Sequence, residues 1–291
     1  MKNKKVIITG AKGMLGNDLV ELFKKDRNYQ VIGWDIKDID ITNKEQLEEK
    51  IYKKKPDIII NAAAYNAVDK CEEDEREFKL AKKINGDGPK FLAQVAKSVD
   101  AIFVHYVSDY VFDGVKGRYK EDDKTSPISN YGISKELGEK NVKKIDGSYY
   151  LIRTSKLFGK PAQSEDAKRS FFETMTNLAE SNKELKVVED EKSCFTYTPD
   201  LAQSTKQLIE GEYKYGIYHL VNEGAVTWYE GLMELFEIMN VKDVKLVPVR
   251  PGEFPRPAKR PRASVLVNTK FPKLRNYKEA IQDWKKILNK K

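Results

Sequence analysis

Short apolar runs alternate with longer amphipathic stretches through the first half of the chain. Residues 5–9, 30–34, 57–60, 101–107 and 149–153 read as strands. Between them, residues 14–25, 44–54, 74–98 and 130–143 carry helical periodicity, with Thr42 or Asn43 placed to cap the second. In the third, Ile84, Phe91, Leu92 and Val95 fall on the core-facing stripe. The strands are apolar throughout rather than alternating, which predicts a parallel sheet covered on both faces. Right-handed crossovers then give a doubly wound α/β sheet of the Rossmann type.

The pattern loosens after Gly159. Residues 185–188, 216–221 and 245–249 read as strands, and 199–210, 227–239 and 277–288 as helices. The stretch 251–262 carries four prolines together with Arg256, Lys259, Arg260 and Arg262, which predicts irregular chain. The expected division is a nucleotide-binding domain over 1–158 and a smaller C-terminal substrate-binding lobe over most of 159–291. Residues 185–211 are expected to return to the first domain's core.

Composition narrows the class. The chain has 291 residues, 40% of them hydrophobic and 34% charged, which is globular with a heavily charged surface. The basic head has an apolar run of only Val6 to Ile8, too short for a secretory leader, and no run is long enough for a membrane span. Cys71 and Cys194 are the only cysteines and read as free thiols of a reducing cytoplasm. The net charge of +8 comes from lysines scattered along the chain, which reads as a solvated surface rather than a nucleic-acid face. No spacing of metal ligands occurs. His105 and His219 lie in strand patterns, and Cys71 beside Glu72 and Glu73 is a poor nucleophile.

Two constellations carry chemistry. Gly10, Lys12, Gly13, Met14, Leu15 and Gly16 lie between the first strand and the first helix, in G-x-x-G-x-x-G spacing. Glycines there permit the tight turn, let the backbone approach a pyrophosphate, and let helix pack on strand. The helix N-terminus offers unpaired amides to the phosphates. Asp35, at the end of the second strand, suits the hydroxyls of an adenosine ribose, and Lys37 suits a 2′-phosphate, so NADPH and NADH both stay open. Asp40 and Ile41 are candidates for the adenine pocket, with a helix-capping role for Asp40 as the alternative. Ala62, Ala63 and Ala64 leave the third strand small enough for a cofactor to lie against the backbone.

In the second, Tyr131 and Lys135 stand one helical turn apart, and Ser108 closes the fourth strand at the sheet edge where such folds bind ligands. A carbonyl that accepts a hydride develops negative charge on oxygen. Tyr131 suits the general acid, Lys135 suits lowering its pKa and holding the nicotinamide ribose, and Ser108 suits a second donor to the oxyanion.

These residues belong to a wider pattern. It comprises Thr9 to Gly16, Asn61 to Lys70, Val104 to Gly114, Tyr119 to Asp123, Pro127, Tyr131-Gly-Ile-Ser-Lys135 and Gly138-Glu139. It continues through Arg153-Thr-Ser155, Tyr218 to Val221, Thr227-Trp228, Pro257 to Ser264 and Trp284. The chain thereby resembles the dTDP-4-dehydrorhamnose reductase family of extended short-chain dehydrogenases/reductases. The resemblance implies an NAD(P)H-dependent cytoplasmic enzyme that reduces the 4-keto group of a nucleotide-diphosphate sugar, with a homodimer possible. Ser108, Tyr131 and Lys135 take the catalytic positions. Val107, Asp109, Tyr110, Lys156, Ser170, Phe171, Arg260 and Ser264 take substrate-side positions, Arg260 suiting a diphosphate.

Four positions depart from the family pattern. Lys156 stands for its usual Trp, Ser170 for Asn and Val107 for Ser, and Ser193-Cys-Phe-Thr196 replaces a Gly-x-Pro-Thr stretch. Reduction of a different 4-keto-6-deoxy sugar nucleotide is therefore one alternative. A regulatory NADP-binding subunit similar to that of methionine adenosyltransferase is another, against which the Pro257 to Ser264 segment argues. A dehydratase or epimerase is disfavoured because Tyr110, not Glu, follows Asp109.

Overall fold

Six parallel strands form the centre of the computed structural model, which describes residues 3–164, 167–211 and 213–288. They are β1 (Lys4–Thr9), β2 (Tyr29–Trp34), β3 (Ile58–Asn61), β4 (Ile102–Ser108), β5 (Tyr149–Thr154) and β6 (Gly216–His219). Their order is β2-β1-β3-β4-β5-β6. Alternate side chains of each strand feed opposite cores, as the pleat requires. Ile7, Ile59, Phe103 and Leu151 enter one core. Val6, Ile8, Ile58, Ile60, Val104 and Ile152 enter the other. Both faces are thus buried, which is why the strands are apolar throughout.

The first face is covered by α2 (Lys44–Lys54), α4 (Gly88–Ser98) and α5 (Asn130–Lys143), through Leu47, Ile51, Leu92, Val95 and Val142. The second is covered by α1 (Met14–Lys24) and α7 (Thr198–Glu210), through Leu15, Leu19, Phe23, Leu201 and Leu208. Asn43 caps α2 by accepting from Gln46 N at 2.9 Å. The helix expected over 74–98 is divided: α3 (Glu75–Lys82) leads through a π turn, Lys83–Asp87, into α4. The extra residue turns Asn85 inward, where its amide pairs with the backbone of Tyr65 and with Ser134 Oγ.

The second lobe has an aromatic core. Phe158, Phe172, Phe195, Tyr197, Tyr277 and Trp284 pack together, with α6 (Phe171–Ser181), α8 (Trp228–Met239) and α9 (Tyr277–Leu288) around them. Glu184–Val188 pairs in parallel with Lys245–Val249 in this lobe, so within 185–211 only α7 lies on the large sheet. Conversely, β6 comes from the second half of the chain and extends the large sheet beside β5. Ser264–Leu266 pairs with Gly117–Tyr119, which brings the proline- and arginine-rich segment back to the C-terminal end of β4. Among the described residues no helix is long and apolar enough to cross a membrane.

Candidate active site

From β1 the chain passes outward to β2 and then crosses back to β3, so a crevice opens at the C-terminal ends of β1 and β3. Gly10 turns there with φ +68°, and a Cβ on it would meet Ala63 N at 2.6 Å. A Cβ on Gly16 would meet Gly10 O at 2.0 Å. Both glycines therefore let turn, helix and β3 exit close on one another. Gly13 caps α1 without a side-chain hydrogen bond, so the first-turn amides, those of Met14 and Leu15 among them, have no side-chain acceptor. The side chain of Leu15 is buried in the core, which leaves its backbone as the contribution to the crevice. An uncapped helix start beside a glycine turn and the half-buried Ala62, Ala63 and Ala64 suits a dinucleotide pyrophosphate.

The surrounding carboxylates are partly committed. Asp35 accepts from Lys12 N and Ile36 N, each at 2.8 Å, and so ties the glycine turn to β2. Lys37 is exposed beside it. Asp40 and Ile41, expected beside the adenine, have local partners in this fold. Asp40 accepts from both the amide and the hydroxyl of Thr42, and Ile41 is buried against Gly88. The backbone of Gln163 and Ser164 reaches over the turn to Lys12 O, at 2.8 and 3.2 Å.

Tyr131 and Lys135 occupy the start of α5, which Ser129 caps by accepting from Gly132 N at 3.2 Å. The Tyr131 hydroxyl points to Asn66 Oδ1 at 3.4 Å, and its ring meets Tyr110 edge to face at 5.7 Å. Lys135 is buried and its Nζ donates to Tyr106 O at 2.9 Å. Burial pushes its ammonium down to about 8. The ammonium is thus directed at a backbone carbonyl one helical turn from the Tyr131 phenol. Burial dominates and holds the phenol well above its ordinary value, with the Ser108 hydroxyl acting in the opposite sense.

Ser108 donates to Asp109 Oδ1 at 3.1 Å and accepts from Tyr110 N at 3.2 Å. Asp109 is buried and accepts from Ser264 Oγ at 2.5 Å; burial raises its carboxyl. Val107 needs correction as a substrate contact. It precedes Ser108 on a pleated strand and is 2% exposed, packed in the core with Val111 and Phe112. His105 is buried with Nδ1 3.1 Å from Asn61 Nδ2, and Asn61 Oδ1 accepts from Thr9 Oγ1. Burial, with Glu72 and Glu77, pushes the Cys71 thiol up to about 11.

The second lobe closes the far side. Lys156, at φ 41°, extends its ammonium over the rings of Trp228 and Phe195, at 4.1 and 4.9 Å. It donates to the carbonyls of Glu191 and Val226. Loss of solvent pushes it down to about 7, against the pull of Asp109. The cation fills an aromatic niche and is satisfied by the backbone. Phe171 packs on Trp228 at 4.6 Å. Ser170 caps α6 by accepting from Glu173 N at 3.1 Å, a role that Asn fills equally well.

Arg260 forms two hydrogen bonds to Asp69, at 2.7 and 2.6 Å. Arg256 pairs with Glu191, which also accepts from Trp228 Nε1 at 3.0 Å. Asn66, Asp69 and Glu191 were not singled out from sequence. Asn66 and Asp69 lie inside the Asn61–Lys70 stretch, whereas Glu191 gave no local signal.

The family model described as RmlD substrate binding domain matches residues 4–290. A dTDP-4-dehydrorhamnose reductase of Aggregatibacter actinomycetemcomitans is 36% identical, over 98% of this chain and 97% of that protein. The crystal structure of a dTDP-4-dehydrorhamnose reductase from Clostridium acetobutylicum superposes with TM-score 0.90 at 41% identity, covering 98% of this chain and 99% of that one. That of the Bacillus anthracis reductase in complex with NADP gives 0.89 at 34%, with the same coverage. The full-length match and the fold together place this chain in the dTDP-4-dehydrorhamnose reductase family.

Proposed function

We propose that the chain uses NADPH or NADH to reduce the C4 keto group of dTDP-4-dehydro-L-rhamnose, giving dTDP-L-rhamnose for cell-surface polysaccharide. The observation that carries the reading is the gathering of Tyr131, Ser108 and Lys135 at the sheet edge beside the uncapped start of α1. The nicotinamide cofactor, when bound, supplies the hydride that adds to C4. Tyr131 gives its proton to the carbonyl oxygen, so that C=O becomes CH–OH. The phenol carries its proton at neutral pH, as an acid must, and the Ser108 hydroxyl works against the burial that raises it. Ser108 turns its one O–H from Asp109 to the same oxygen when the substrate binds. Lys135 holds a positive charge one turn below the phenol, where the phenolate forms. Arg260 receives the diphosphate, and Tyr110 lines the wall between it and Tyr131. The two unpaired cysteines accord with a cytoplasmic location.

The test follows NADPH and NADH absorbance with purified protein and the 4-keto substrate, generated in place by the dehydratase and epimerase chemistry that precedes it. Oxidation that requires every component is the expected result, and the two rates rank the cofactors. Intact cofactor binding without oxidation would overturn the sugar assignment and favour another nucleotide-linked 4-keto sugar.

A further inference from the structure

The guanidinium assigned to the substrate diphosphate is already occupied. Arg260 donates from Nη1 and Nη2 to the two oxygens of Asp69, and Asp69 Oδ1 also accepts from Ala258 N at 3.2 Å. The side chain of Arg260 is 9% exposed and that of Asp69 34%, so the cation is seated while the anion is half-buried and open to solvent. Two planar hydrogen bonds and one backbone amide on a carboxylate reproduce the way such a site takes a phosphate group. Lys168 contributes further positive charge to the same pair.

Asp69 belongs to the segment that leaves β3. Three residues earlier Asn66 accepts from the Tyr131 hydroxyl, and Tyr65 is pinned by Asn85. The segment therefore runs from the general acid to the anion seat.

Resting on the assignment of Arg260 to the diphosphate, we propose that Asp69 is an internal competitor for the substrate. Its carboxylate holds Arg260 in the free enzyme and must be displaced by the diphosphate. A neutral sugar, or one lacking a diphosphate, leaves the pair closed. Selection for a nucleotide-linked substrate thus arises from an exchange of anions at one guanidinium. A diphosphate wins that exchange because it brings more charge and more acceptor oxygens than one carboxylate. Asp69 acts on specificity and takes no part in the proton transfer.

The experiment is calorimetric titration of dTDP, a nucleoside diphosphate without the sugar, into enzyme saturated with NADPH. Wild type, Asp69→Asn, Asp69→Ala and Arg260→Gln are compared, with NADPH affinity checking that each variant is folded. Removing the competitor is expected to tighten dTDP binding roughly fivefold in both Asp69 variants, the size of an exposed to half-buried ion pair. It should also lower KM for the sugar nucleotide without raising kcat. Arg260→Gln is expected to weaken dTDP. Asp69 variants that bind dTDP as wild type does, or more weakly, while Arg260→Gln is impaired, would overturn the competition and leave the diphosphate seat standing. Unchanged dTDP affinity in Arg260→Gln would instead overturn the seat itself, and the competition with it.

Discussion

The hydroxyl of Ser264 donates to Asp109 Oδ2 at 2.5 Å, joining residues 155 positions apart. Asp109 in turn accepts from Ser108, so the late segment of the second lobe holds the serine proposed to face the substrate carbonyl. Ser264→Ala removes one donor from a buried carboxylate. It should cost about 1–3 kcal/mol in urea unfolding and lower kcat, with NADPH affinity unchanged. Loss of stability with normal kcat would confine Ser264 to a structural role.

Tyr131→Phe keeps the ring packed on Tyr110 and removes only the acidic proton. Turnover should fall about 10²–10⁴-fold, the range for a positioned general acid, while NADPH still quenches protein fluorescence at the same concentration. Near-normal turnover would sink the proton-transfer assignment.

Burial places the Lys135 ammonium at about 8, within reach of ordinary assay conditions. A folded-state value depressed below the usual 10.5 means that the charge is lost as pH rises through about 8. Because the charge stabilises the developing phenolate, kcat/KM should decline above that pH. Lys135→Met should be inactive throughout. A profile that stays flat through that window in the wild type would remove the charge from the mechanism.

Arg153 and Glu139 form a buried pair with hydrogen bonds of 2.8 and 2.6 Å, their side chains 2% and 3% exposed. Arg153 also donates to Glu121 O and lies 3.3 Å from His219 Nε2. Glu139→Leu strands the guanidinium and should cost about 3–5 kcal/mol in denaturant unfolding. The double variant Arg153→Met/Glu139→Leu should recover much of that loss, because no buried charge is left uncompensated. A double variant as unstable as the single one would show that shape, rather than charge, governs the site.

The parallel sheet was legible because its strands are buried on both faces, and continuous apolar runs such as Val6–Ile8 leave that mark in one dimension. The cap of α2 was legible to within Thr42 or Asn43, of which the fold uses Asn43, and the start of α5 was legible from periodicity. The π turn at Lys83–Asp87 was not, since a single added residue barely disturbs a helical repeat. Side-chain direction was harder still. Val107 and Ile41 lie where the family pattern contacts ligands, yet backbone geometry turns both into the core. The Asp69–Arg260 pair spans 191 positions, and in a chain that is 34% charged no local pattern selects one ion pair. The departure at Lys156 was visible in sequence. Its solution, two backbone carbonyls and two aromatic rings, required the fold.

The passage of β6 into the large sheet bears on how the gene can be divided. A polypeptide ending at residue 158 would carry the glycine turn, Ser108, Tyr131 and Lys135, and looks on paper like a portable cofactor-binding module. It would leave β5 as a bare sheet margin and strip α7 from Leu19 and Phe23. Such a margin recruits strands from neighbouring molecules, so the fragment should precipitate rather than fold. Fusions and split reporters built on this scaffold need their junctions in surface loops of the whole chain.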